Sequence, residues 1–353
     1  MPAEGLRTTP EMTCDGRVTT ARLDGFRRLA LDSALAEIVR LFDSAGVRPL
    51  LLKGPAFARW LYDDLRERSY NDIDLLVGPG EFDAARRALA ALGFESLPRN
   101  SLPPNERPNS YHEEWIRPGT LPLAVELHHT LWGATAAPTV VWQRMTNGAH
   151  VIEVAGARVE TPSEVGSAMI VAVHAADHAG VARRPTAQRI THRPRPDGRV
   201  NLNPGGRFAG RDLQLALQRV DIETWRAAAR LAEELGAGAL FAFGLRLDSA
   251  GRAVADRLGL TDHVPRQLRL RAAGRPSTAA GIELLLTTPG VGPRVRLLAR
   301  EVAPSRAFML EWSPIARRGR LGLPCAYLWR PVWLIMMLPR GVRFWLRASR
   351  RRP

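Results

Sequence analysis

A change of period at Pro162 restricts the fold of this chain more than any other feature. Before it, short apolar runs alternate with helical stretches, and after it strand signals nearly stop. Over residues 20–45, Leu23, Phe26, Leu31, Leu35 and Ile38 recur near helical spacing. Residues 49–53 read as a short buried strand ending in Gly54-Pro55, with a helix over 56–62 directly after it. Residues 71–77 (NDIDLLV) form a strand stopped by Gly78-Pro79-Gly80. A helix over 81–92 carries acids in its first turn and Gly93 as its cap. Residues 111–117 and 123–129 (LAVELHH) are two further strands, giving about five in all. Helices mixed with strands and then helices alone imply an α/β (or α+β) domain followed by a mostly helical one.

The helical part covers 163–179, 211–220, 222–235 and 237–247, interrupted at 183–210 by a stretch rich in Arg, Pro and Gly. The expected divisions are a frayed terminus at 1–18, a first domain at 19–160, a helical domain at 161–300 and a basic aromatic tail at 301–353. With 45% hydrophobic and 24% charged residues, the 353-residue chain can bury a real core. Cys14 and Cys325 lie far apart, so no disulfide framework and no disulfide partner is expected, and a reducing compartment fits. The beginning of the sequence has no apolar signal region, and the longest late apolar run, 332–338, is short of the ~20 residues of a spanning helix. The expectation is a cytoplasmic protein, with contact at the membrane periphery left open.

Charge is localised. The formal net charge is +15; residues 301–353 hold eleven arginines against Glu301 and Glu311, and 183–211 hold eight against Asp197. Those two segments contribute +9 and +7, which leaves the remainder at −1. Of the 50 basic residues, Lys53 is the only lysine. Arginine replaces lysine freely only where a generic positive charge suffices, so the surviving compact ammonium points to chemistry at Lys53.

Asp72 and Asp74 share one face of their strand by period two, with Ile73, Leu75 and Val77 on the other. Two adjacent carboxylates repel unless a cation lies between them, and a hard divalent ion takes such oxygen ligands. Glu126, in LAVELHH, can complete a three-carboxylate cluster if its strand neighbours theirs. Lys53-Gly54 ends one strand at a helix start, where backbone N–H groups and an ammonium can hold phosphate. Arg68, four residues before Asp72, can act as a fork for phosphate oxygens or a carboxylate.

This order resembles the nucleotidyltransferase superfamily with the DNA polymerase β-like fold, and more closely the family of uncharacterised nucleotidyltransferases. The residues that carry the resemblance are LLKGPA (51–56), the R-x-x-x-DIDLLV run (68–77), FDAARRALAALGF (82–94) and VELHH (125–129). VHAADH (173–178), RDLQLAL (211–217) and PSRAFM (304–309) continue it. The resemblance implies a mixed sheet, Asp72, Asp74 and Glu126 as ligands of Mg²⁺ or Mn²⁺, and Lys53, Gly54, Arg68 and Ser69 at the phosphates of an NTP donor. Better-known members carry Gly-Ser after the first strand; Lys53-Gly54-Pro55 stands here, so Lys53 or backbone N–H groups must make that phosphate contact. The implied reaction moves a nucleoside monophosphate to a hydroxyl or amine of an unknown acceptor, with Glu126 as base. A phosphotransferase on the same carboxylates and a non-catalytic nucleotide- or RNA-binding module are the rival readings.

His128 shares a face with Glu126 and is a candidate substrate contact, as are His174, His178 and Asp212. His174, Asp177 and His178 fall on one helix face, but Ala175 stands where a zinc-protease pattern needs glutamate. The tail and the 183–211 segment are candidates for nucleic acid or an anionic membrane surface. Pro331 and Pro339 interrupt a long amphipathic helix, so a tail packed on the protein with solvated arginines is the expectation.

Overall fold

The computed structural model describes residues 15–97, 111–179, 206–266, 269–270 and 277–350. Cys14, most of the basic 183–210 segment and the last three residues lie outside the described residues.

Helix α1 (Asp15–Ser44) leads into β1 (Pro49–Leu51), α2 (Pro55–Leu61), β2 (Asp72–Val77), α3 (Phe82–Ala91) and the short β3 (Glu95–Ser96). Then come β4 (His112–Arg117), β5 (Leu123–His128), α4 (Pro138–Thr146), β6 (His150–Val154) and β7 (Ala157–Thr161). The seven strands form one mixed sheet in the order β3-β4-β5-β2-β1-β7-β6. β2 runs parallel to β5 and β1 parallel to β7, and the remaining neighbours are antiparallel. The β6–β7 hairpin was not legible in the sequence. Its two-residue turn is Ala155-Gly156, and its mixed apolar and charged alternation is short on both strands.

Period two divides the sheet between two cores. Ile73, Leu75, Val77, Val125 and Leu127 face α1 and α3, where Leu31, Leu35, Ile38 and Phe42 form the buried stripe of α1. Leu50, Leu52 and Leu76 face the other way, into a core built with the later helices. These are α5 (Glu164–His178), α6 (Gly206–Arg219), α7 (Ile222–Glu234), α8 (Gly238–Leu245) and α9 (Ser249–Arg257). The Ser163 hydroxyl caps α5 by accepting from the Gly166 N–H at 3.3 Å. α5 is apolar around most of its circumference, as a helix enclosed on all sides must be. α8 crosses it backbone to backbone at Gly244, where a Cβ would stand 1.9 Å from the Ala172 carbonyl oxygen.

The last helices are Ser277–Thr287, Val291–Val302, Arg306–Trp312 and Gly319–Arg350. Their buried residues form two small clusters of their own, Met309, Ala316 and Ala326 in one and Leu270 and Ala279 in the other. Here the structure corrects the sequence reading of the tail. Gly319–Arg350 is one helix with Pro324, Pro331 and Pro339 inside it. Packing on both sides of the prolines offsets the loss of individual helix bonds: Ala326 is seated near Met309, and Phe344 and Trp345 lie on Leu270 and Ala279. Nor is this helix covered as expected, since Leu321, Leu328, Ile335 and Met336 are exposed. It is also long and apolar enough to cross a membrane, which the count of uninterrupted apolar residues had excluded.

Candidate active site

The candidate site lies on the sheet face that carries Leu76. On β2, Asp74 and Asp72 continue this face past the apolar packing, because alternate residues point the same way. The parallel β2–β5 register sets Asp74 against Glu126 and Leu76 against His128. The antiparallel β4–β5 register adds Glu114 opposite Glu126 and His112 opposite His128. Three adjacent strands thus present four carboxylates and two imidazoles on one face.

Lys53 answers this negative charge. It follows β1 at a turn where Gly54 adopts φ 60°, ψ −115°, a backbone conformation open to glycine and strained for other residues. Its Nζ lies 2.7 Å from Asp74 Oδ1, and His128 Nε2 lies 3.2 Å from the same oxygen and 3.5 Å from Glu126 Oε2. Burial works against a charged Asp74, yet Lys53 and the His128 hydrogen bond outweigh it and hold its carboxyl well below the usual range. Asp72 goes the other way: burial, then the charges of Asp74 and Glu126, push it well above the usual range. Lys53 is buried against its charge, but Asp74, Glu126 and Asp72 raise its pKa. His128 is likewise raised, its hydrogen bonds to Asp74 and Glu126 overcoming desolvation. Lys53 and His128 are thus the cations set against these acids, and Asp72 is the carboxyl least disposed to carry its charge.

The donors that converge most closely are His112, Glu126 and His128, each offering a ligand atom within 4.8 Å of the others. Asp72 and Asp74 border this set. His112 and Glu114 were missed from the sequence, although their signal is there: H-x-E on one strand and E-x-H on the next match when the strands pair antiparallel.

Arg68 and Asp212, which sequence reasoning assigned to nucleotide and substrate, engage each other instead. Arg68 Nε donates to Asp212 Oδ1 at 2.9 Å and Nη2 to Oδ2 at 2.8 Å, while Nη1 donates to the Gly54 carbonyl at 3.0 Å. The Tyr62 hydroxyl donates to Asp212 Oδ1 at 2.8 Å. Both charged side chains are buried, so the fork that could grip a phosphate instead ties the Lys53-Gly54 turn to α6. Ser69 Oγ donates to Asp24 Oδ2 on α1 at 3.5 Å. His174 and His178 meet edge to face at 4.5 Å on the last turns of α5. Burial, followed by the charges of His178 and Lys53, holds His174 well below its ordinary pKa. The charges of Lys53 and Asp74 reach it, so this end of α5 lies near the carboxylate face.

Residues 19–189 match the family described as uncharacterised nucleotidyltransferase. No curated protein matches the chain. Among solved structures, the solution structure of the antibiotic-resistance factor ANT(2'')-Ia is 15% identical, covering 57% of this chain and 91% of that one with a TM-score of 0.36. ANT(2")-Ia in complex with adenylyl-2"-tobramycin gives the same identity and TM-score over 57% of this chain and 97% of that one. An antigenic nucleotidyltransferase-like protein from Paracoccidioides brasiliensis is 14% identical over 58% of this chain and 88% of that one, with a TM-score of 0.34. The match over residues 19–189 covers 171 of the 353 residues, just under half of the chain, and over this part the chain is similar to the uncharacterised nucleotidyltransferase family.

Proposed function

We propose that the carboxylate face catalyses metal-dependent transfer of a nucleoside monophosphate from an NTP to a hydroxyl or amine of an acceptor. The observation that carries this reading is the β2–β5 register that sets Asp74 against Glu126, with Asp72 two residues along the same face of β2 and Lys53 as the cation on Asp74. The donor set fits a divalent ion: carboxylate oxygens from Asp72, Asp74 and Glu126 crowd one face beside two imidazoles, with Asp74 buried and Asp72 and Glu126 part-exposed. Asp72, Asp74 and Glu126 would hold it, with His112 and His128 beside them. Those two nitrogen donors favour Mn²⁺ over Mg²⁺, which takes oxygen ligands. When bound, such an ion polarises phosphoryl oxygens and neutralises charge on the departing pyrophosphate.

The chain's own residues supply the rest. In the transfer, the acceptor oxygen or nitrogen bonds to the α-phosphorus and the bond from that phosphorus to the pyrophosphate oxygen breaks. The acceptor's proton passes to the Glu126 carboxylate, which keeps partial solvent access. His128, held by Asp74 at 3.2 Å, orients Glu126 from 3.5 Å through the same Nε2. Lys53, kept charged, is available to a phosphate lying over these strands. Arg68 and Asp212 position the Lys53 turn rather than touching substrate.

Mn²⁺ binding followed by electron paramagnetic resonance tests this assignment without an acceptor. Asp72→Asn/Asp74→Asn should weaken Mn²⁺ binding at least about tenfold, given the charge removed from the donor set. Undiminished affinity in that variant contradicts the proposed ligands.

A further inference from the structure

We propose that the C-terminal helices dock on an anionic phospholipid bilayer, with the Gly319–Arg350 helix lying in the plane of the interface. This inference is independent of the reaction assigned above. Across residues 321–339 every exposed side chain is apolar, including Leu328 at 77% and Ile335 at 69% exposure. At 1.5 Å per residue this face runs about 28 Å. Soluble proteins rarely leave so long an apolar strip to water.

One charge interrupts that stretch, and it is taken inside. Arg330 is 4% exposed; its Nε donates to the Glu301 carbonyl at 3.0 Å and its Nη2 to Glu301 Oε2 at 3.4 Å. Its guanidinium also lies over the Phe308 and Trp312 rings, at 4.8 and 4.6 Å from their centroids. The outward face is therefore free of charge while the helix remains tied to its neighbours.

Charge complementarity selects the occupant. Exposed arginines flank the apolar face at both ends: Arg317, Arg318 and Arg320 before it, Arg340, Arg343 and Arg347 after it. The adjoining Val291–Val302 helix has no buried residue; Val291, Val295, Leu298 and Val302 form an exposed stripe at helical spacing, interleaved with exposed Arg294, Arg296 and Arg300. Apolar stripes edged by arginine insert beneath anionic headgroups. The same arginines decide the orientation. A spanning helix would draw Arg294, Arg296 and Arg300 toward hydrocarbon and send one terminal cluster to the far side. An in-plane helix keeps all of them at headgroup level.

Flotation of the full chain with vesicles of phosphatidylcholine, with and without phosphatidylglycerol, tests the proposal. Binding should require phosphatidylglycerol and weaken with salt. Arg340→Gln/Arg343→Gln should lower partitioning about fivefold per arginine. Leu328→Asp/Ile335→Asp should abolish flotation while leaving the thermal unfolding transition and the circular dichroism spectrum unchanged, because both side chains are exposed. Equal binding to neutral vesicles, or none to anionic ones, overturns the proposal. So does a lipid-free dimer dispersed by the same Asp substitutions, which would assign the face to a second copy. Resistance of the bound chain to alkaline carbonate overturns the in-plane orientation in favour of a spanning helix.

Discussion

Lys53 presents a single ammonium to Asp74, on a stem short enough to fit beneath the carboxylate face. A guanidinium is planar and wider and would need room for its fork, so the two cations are not equivalent here. Lys53→Arg should weaken NTP binding about 10- to 100-fold, the equivalent of one charge-assisted hydrogen bond of ~1.5–3 kcal/mol; unchanged affinity by calorimetry counts against a special role for the lysine. His174 offers a pH test. Its folded pKa is depressed, chiefly by burial, whereas in the unfolded chain it titrates near 6.5. Below that value the unfolded state binds more protons, so His174 costs the fold up to ~1.4 kcal/mol per pH unit as the pH falls. His128, raised in the folded state, acts in the opposite sense. The urea midpoint of His174→Gln should therefore fall less than that of the wild type between pH 7 and pH 5. Equal losses would show that His174 protonates freely in the folded state. At this scale Asp72, Asp74, Glu126 and the single lysine stood out in the sequence because type and spacing carry their signal. That Arg68 faces Asp212 did not, because the partners are 144 residues apart and no local pattern links them.

Among the elements, β2 and the turn after β1 do most to shape the site, and α6 reaches them through the Arg68–Asp212 pair. Removing one partner of a buried ion pair leaves the other charge uncompensated. Asp212→Asn should lower stability by about 3–5 kcal/mol, read as a shift of the denaturant midpoint. Arg68→Met/Asp212→Leu should lose less than Asp212→Asn, since it buries no lone charge; an additive loss would point to packing rather than electrostatics. Most elements were legible from periodicity and turn residues: the sequence placed α5 at 163–179, and the structure has Glu164–His178 capped by Ser163. The β6–β7 hairpin escaped although β7 alternates strictly, because β6 at the sheet edge buries only Val154 and shows no strand pattern of its own. The Gly319–Arg350 helix escaped for the converse reason: local proline signals were overruled by tertiary anchors on either side.

For the molecule as a whole, we read the sheet and α1–α9 as one folding unit and the C-terminal helices as another. β1, β2 and α5–α8 share a core to which residues 277–350 contribute nothing. A chain ending at residue 265 should therefore unfold cooperatively and keep its NTP affinity while losing vesicle binding. Loss of folding in that chain would show that the C-terminal helices complete the main core. The change of period at Pro162 foretold the succession from sheet to helices, but could not show that α5 packs directly on the sheet, since burial partners are not written in periodicity.

The central claim is that the acids aligned on β2 and β5 bind a nucleoside triphosphate through a divalent ion. Calorimetry of NTP binding, with and without Mg²⁺ or Mn²⁺, on the wild type and on Asp72→Asn/Asp74→Asn is its most direct test. The account predicts cation-dependent binding to the wild type and none to the variant. Cation-independent binding that survives the double substitution would contradict it.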